Sequence, residues 1–181
     1  MMAPSASACT LTDDAGLTFP MQGGLEIREA STADRDAIAA IAQEIVDLGT
    51  VFVFEDAADI VDYWYQPNAH IYVTVRGDEI LGTYVVKPNQ KGRGAHVANA
   101  GYMVRADAMG LGIGTAMGKH SLELAKNLGF EAMQFNMVVA TNAGAVHLWQ
   151  KLGFEIVGKL PGVFRHPQHG NVDAFVMLRT L

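Results

Sequence analysis

From Leu25 onward the apolar positions switch repeatedly between alternation, the period of a strand, and three-to-four-residue spacing, the period of a helix. Leu25 and Ile27, with polar residues around them, predict a short first strand. Ile38, Ile41, Ala42, Ile45 and Val46 then follow at helical spacing, with Thr32 as the expected N-cap and Gly49 as the expected stop. Asp34 and Asp36 fall in the first turn, where negative charge complements the helix dipole. Asp56 opens a second helix predicted through Tyr65 and halted by Pro67. Ile71, Val73 and Val75 alternate with other residues, Gly77 and Asp78 turn, and 80–86 returns, which is the pattern of a hairpin. A polar loop at 88–94 leads to a strand at 96–104. Gly110 to Gly114 then opens a long helix with Leu122, Leu124, Ala125 and Leu128 as core candidates, ending at Gly129. Strand 132–139, helix 142–152, strand 154–160, loop 161–170 and strand 172–178 complete the chain. The sum is a single α/β (α+β) domain over residues 25–181, built on one mixed, mostly antiparallel sheet and about four helices. Residues 1–24, rich in Ala, Ser, Thr and Asp, read as a flexible leader.

Composition narrows the function classes. Half of the 181 residues are hydrophobic and 18% are charged, so a chain of this length can bury a sizeable core. A net charge of -6 speaks against a nucleic-acid binder, because phosphate backbones demand a basic face. No apolar run approaches the roughly 18 residues of a membrane helix. Residues 1–19 hold no Lys or Arg, so the basic start of a secretory signal is missing. The single cysteine, Cys9, can form no intramolecular disulfide and no four-thiolate zinc site, and cytoplasm is the expected location.

Candidate chemistry begins at Met109-Gly110-Leu111-Gly112-Ile113-Gly114-Thr115, between a predicted strand and a predicted helix. Glycines at alternate positions permit close approach, and the free N–H groups of a helix start, together with its dipole, favour a phosphate or pyrophosphate. The spacing is neither the G-x-G-x-x-G of dinucleotide folds nor a P-loop. A second element follows some thirty residues later: Asn142-Ala143-Gly144-Ala145-Val146-His147-Leu148-Trp149-Gln150-Lys151-Leu152-Gly153-Phe154.

Together, the two elements resemble the GCN5-related N-acetyltransferases, which carry R/Q-x-x-G-x-G/A at the helix start and N-x-x-A-x-x-x-Y-x-x-x-G-F downstream. The resemblance covers 25–181. It implies a six- to seven-stranded sheet splayed at its centre, acetyl-CoA as acetyl donor, no metal and, as in many relatives, a homodimer. Carried over, it makes Met103 and Val104 strand-end backbone partners of the thioester arm and of the oxyanion. Gly110, Leu111, Gly112, Ile113, Gly114 and Thr115 would hold the pyrophosphate, and Asn142 and Ala145 would line the pantetheine channel. Two positions depart from the pattern. Met109 stands where relatives have Arg or Gln. Trp149 stands where a tyrosine often protonates the leaving thiolate, and an indole N–H is no general acid near neutral pH.

The strand that usually carries a glutamate relay, His96-Val97-Ala98-Asn99-Ala100-Gly101-Tyr102-Met103, has no carboxylate. Asn99 and Asn136 occupy the strands that should flank the acceptor. Asparagine is no base, but it can orient an amine or a carboxylate; the bland alternative is a pair satisfied by backbone or water. The stretches around them are similar to the fungal acetyltransferases acting on azetidine-2-carboxylate and related proline analogues. That likeness implies that Asn99 grips the substrate and Asn136 aligns its nitrogen. Phe54 and Glu55 lie between the first two helices, where the family places its acceptor; Glu55 is otherwise a helix-start carboxylate. Tyr63, Trp64 and Tyr65 wall the pocket or belong to the core. His96, His147 and the His166/His169 pair read as surface positions, with no carboxylate set for a metal. The expected activity is acetyl transfer from acetyl-CoA to a small amine or amino acid, with no nucleic-acid or membrane partner. A CoA-binding module without catalysis and a protein or peptide acetyltransferase are the alternatives.

Overall fold

The computed structural model describes residues 24–181 and the backbone of a two-residue strand, Phe19–Pro20 (β1). The remainder of the expected leader, including Cys9, lies outside the described residues. Strands β2 (Leu25–Glu29), β3 (His70–Arg76), β4 (Glu79–Pro88), β5 (Val97–Val104), β6 (Ala132–Val139), β7 (Glu155–His166) and β8 (Gly170–Thr180) join β1 in one sheet of order β1-β2-β3-β4-β5-β6-β8-β7. Seven full strands and a two-residue edge thus form the expected sheet. Neighbours are antiparallel except β5 and β6, which run parallel because the connection between them crosses over through helix α3 (Ile113–Asn127). They pair at Val97↔Ala132 and Ala98↔Met133, and beyond that register the sheet is open at its centre.

Helices cover both faces. Along β4, Tyr84 and Val86 belong to one core and Val85 to the other, as strand alternation requires. Helices α1 (Arg35–Leu48) and α2 (Ala57–Trp64) bury Ile38, Ile41, Ala42, Ile45, Ile60 and Trp64 against Val73, Val85 and Met103. Helix α3 and helix α4 (Ala143–Lys151) cover the opposite face with Ile113, Met117, Leu122, Ala125 and Trp149. Among the described residues no helix is long and apolar enough to cross a membrane.

Three local expectations are corrected. The N-cap of α1 is Asp34 rather than Thr32, which begins a 3-10 turn (Thr32–Asp34) capped by Ser31, whose backbone N–H and hydroxyl both donate to Asp34, at 2.6 and 2.9 Å. Arg28 adds two hydrogen bonds of 2.8 Å to the same carboxylate, which is thereby held well below the usual carboxylate range. Leu128 is exposed rather than core, because α3 ends at Asn127 and Leu128 has left its apolar stripe before Gly129 turns at φ 85°. The segment 161–170 is mostly strand. Pro161 and Gly162 fall where the β7–β8 register slips between Leu160 and Phe164, and the Gly162 N–H, at φ 62°, donates to Asp173 at 2.9 Å. A proline is tolerated there because β7 is the edge strand.

Candidate active site

The opening between β5 and β6 is a consequence of hydrogen-bond alternation. Arg105 donates its N–H to the Leu81 carbonyl of β4, and Asn89 donates to Val97, so the odd-numbered residues of β5 direct their backbones at β4. Ala100, Tyr102 and Val104 therefore turn their N–H and C=O groups toward β6, which has moved away to pair with β8. Met103 does not reach this gap: its backbone is committed to Thr83 and its side chain, 1% exposed, lies in the α1/α2 core. On the β6 side a register shift between Phe135 and Val138 makes Asn136 and Met137 a bulge, a device that re-aims a side chain out of the ladder.

A cleft of about 400 Å³ occupies the gap. Its walls include Phe54, Tyr63, Asn99, Val104, Met109, Phe135, Asn136, Asn142, Ala145 and Trp149. Glu55 is exposed and outside that lining, as are His96 and His147. Among the described residues, no charged side chain and no histidine lines the cleft.

Asn99 is buried, and its amide is held at both ends. Its NH2 donates to the Gln134 carbonyl at 2.8 Å, and its oxygen accepts from the Tyr63 hydroxyl at 2.9 Å. One N–H and one lone pair remain. Asn136 is exposed; it accepts from the Gln134 side chain at 2.8 Å and donates to Asn89 at 2.7 Å. Gln134 thus links the two asparagines, through its backbone to one and its side chain to the other. Burial pushes the Tyr63 phenol up, away from ionisation.

Met109, on the cleft wall, leads directly into the start of α3, and Gly110 to Thr115 lie outside the lining itself. Gly110 and Gly112 adopt φ 80° and 79°, and a Cβ at either would meet nothing within 4 Å. Among the described residues, none of the backbone N–H groups from Gly110 to Thr115 has an acceptor; the first bond of the helix runs from Ala116 to Gly112. This is a bare, concave set of donors at a helix N-terminus, suited to an anion. Asn142 caps α4 by accepting from the Ala145 N–H at 3.1 Å. Trp149 is sealed by Tyr102, Phe135 and Phe154, with ring centroids 4.6, 4.7 and 6.0 Å away.

Sequence reasoning missed Gln134 and Lys87. Lys87, opposite Asn99 on β4, places its ammonium 3.1 Å from the centre of the Tyr63 ring. Its position before a proline at a strand end gives no local sign of this, because Tyr63 reaches it from α2.

Residues 38–154 match the model of the acetyltransferase (GNAT) family. The chain is 36% identical over 98 residues to N-acetyltransferase aca1 of Schizosaccharomyces pombe, a match spanning 54% of this chain and 47% of that protein, so the chain spans about half the length of this relative. It is 28% identical over 162 residues to L-amino acid N-acetyltransferase AaaT of Escherichia coli, covering 84% of this chain and 96% of that one. A solved GCN5-related N-acetyltransferase from Kribbella flavida superposes with a TM-score of 0.83 at 40% identity, over 87% of this chain and 98% of its own.

Proposed function

Because the chain belongs to the acetyltransferase (GNAT) family, we propose that it moves the acetyl group of acetyl-CoA onto the nitrogen of a small amine or amino acid. The observation carrying this reading is the cleft at the sheet opening, free of charged side chains among the described residues, whose lining reaches Met109, the residue just before the unpaired N–H groups of Gly110 to Thr115. That arrangement fits the coenzyme's chemistry: a diphosphate for the helix start, and an amide-rich arm for the strand edge of Ala100, Tyr102 and Val104.

In this reading Gly112, Ile113 and Gly114 bind the diphosphate through backbone N–H groups, and Val104 meets the thioester end. The Val104 N–H is positioned to stabilise negative charge on the acetyl oxygen as the nitrogen attacks the carbonyl carbon. Asn99 uses its remaining N–H and lone pair to hold the acceptor, and Asn136 orients the acceptor nitrogen from the bulge. The carbon–sulfur bond then breaks, and the leaving thiolate needs no acid at Trp149 because its basicity is modest. With no carboxylate or histidine among the described residues of the lining, the amine enters neutral, and the proton it loses on acylation passes to solvent. Rate enhancement comes chiefly from positioning and from fixed dipoles. The likeness to AaaT favours amino acids within this class. A cytoplasmic location belongs to the same proposal, resting on the single cysteine.

The test is release of free thiol from acetyl-CoA across a panel of amines and amino acids. Amine-dependent release is expected. A thermal shift with acetyl-CoA but no amine-dependent release would instead mark a binding module without catalysis.

A further inference from the structure

Among the described residues the cleft lining carries no charge, yet one ammonium is sealed directly behind its wall. Lys87 is 8% exposed. It donates to the Gln66 side chain at 2.8 Å and to the Tyr63 carbonyl at 3.3 Å, and it lies 3.1 Å from the centre of the Tyr63 ring. Among the described residues no carboxylate stands within ion-pair reach of it. Buried lysines are normally paired with an anion; this one has a neutral amide, a carbonyl and a π face. Burial lowers its pKa to about 8, which leaves it mainly protonated at neutral pH. The ring it supports lines the cleft, and the hydroxyl of that ring holds Asn99.

We propose that Lys87 is a positioning residue that determines acceptor specificity: acting through Tyr63, it supplies the positive potential that selects acceptors bearing a carboxylate beside the amine. The inference rests on the acetyl-transfer reading above. An amine must be neutral to attack, so an α-amino acid in its reactive form brings an uncompensated carboxylate into a cleft whose lining holds no cation. Burying that charge is unfavourable unless a positive charge lies close, and in a medium of low dielectric a charge one ring away is felt.

The experiment compares L-amino acids with their primary amides, which share side chain and amine but lack the carboxylate. Wild-type protein is expected to favour the acid over the amide. Lys87→Met keeps the aliphatic stem. It should lower kcat/KM for the acid by about tenfold or more, mainly through KM, while leaving the amide within about twofold. Lys87→Arg should restore the preference. Lys87→Gln, which can keep the contacts to Gln66 and the Tyr63 carbonyl, serves if the Met variant does not fold, and it should lose the preference likewise. Equal losses for acid and amide, or a wild-type enzyme indifferent to the carboxylate, would overturn the inference while leaving acetyl transfer intact. Absence of turnover with every amine would remove the acetyl-transfer reading and this inference with it.

Discussion

Asn99 donates its side-chain amide to the backbone carbonyl of Gln134 at 2.8 Å, one step beyond the last paired residues of β5 and β6. A side chain thereby replaces the ladder bond that the opening of the sheet takes from β6. Asn99→Ala removes both this prop and the partner of Tyr63. It should cost about 1–3 kcal/mol of stability, by leaving a half-buried carbonyl unpaired, and cut turnover about tenfold to a thousandfold. Asn136→Ala, at an exposed bulge, should lose turnover on a similar scale with a stability change within about 0.5 kcal/mol. Urea denaturation beside steady-state rates separates the two; unchanged rates in both variants would take the asparagines out of the site.

Gly112 holds φ 79° at the start of α3, a conformation that β-branched residues strongly resist. Gly112→Val should abolish the thermal shift produced by acetyl-CoA while leaving the core intact, since the added Cβ meets no protein atom within 4 Å. A normal shift in this variant would count against a diphosphate at the glycine turn.

Gly101 is required for a different reason. A Cβ there would approach Trp64, which is fully buried, to 2.9 Å. Gly101→Ala should destabilise the fold by about 1–3 kcal/mol through overpacking, read as a lower urea midpoint. Trp64→Phe in the same chain should recover part of the loss.

His120 gives a pH signature. Its ring nitrogen meets the Tyr84 hydroxyl, the Tyr72 ring lies 5.0 Å away, and burial lowers its pKa from 6.5 to about 4. The unfolded chain therefore takes up this proton first. The contribution is complete above about pH 6.5 and declines as pH falls from 6.5 toward 4, with a slope of at most about 1.4 kcal/mol per pH unit. Denaturation curves at pH 7 and pH 5 measure it, and His120→Gln should flatten the difference.

Much of this architecture was legible in the chain. Strand 132–139 has the predicted bounds, and the hairpin of β3 and β4 turns at Gly77 and Asp78 as alternation and turn chemistry require. The strands at 154–160 and 172–178 were legible too, but their extension through 161–166 and 170–171 was not, because Pro161 and Gly162 carry the local signature of a loop whereas β8 supplies enough pairing to absorb them as a bulge. Of the expected site positions, Phe54, Asn99, Val104, Met109, Asn136, Asn142, Ala145 and Trp149 gather around one cleft, while Gly110 to Thr115 follow Met109 outside its lining, Glu55 faces solvent and Met103 faces the core. Residues on the strand–turn–helix motifs could be found by spacing. Lys87 could not, since its setting is created by Tyr63, 24 positions earlier in the chain and on another element.

The two wings of the sheet, β1 to β5 on one side and β6 to β8 on the other, are stitched as strands at just two residue pairs, Val97↔Ala132 and Ala98↔Met133. Such a seam works like the spine of a book, fixing how far the pages stand apart. None of these four residues borders the cleft, and Ala98 and Met133 are fully enclosed. The width of the cleft is therefore set by backbone pairing at this binding and not by the residues that line it, because the side chains of Ala98 and Met133 enter the core beneath α3 and α4 and not the gap.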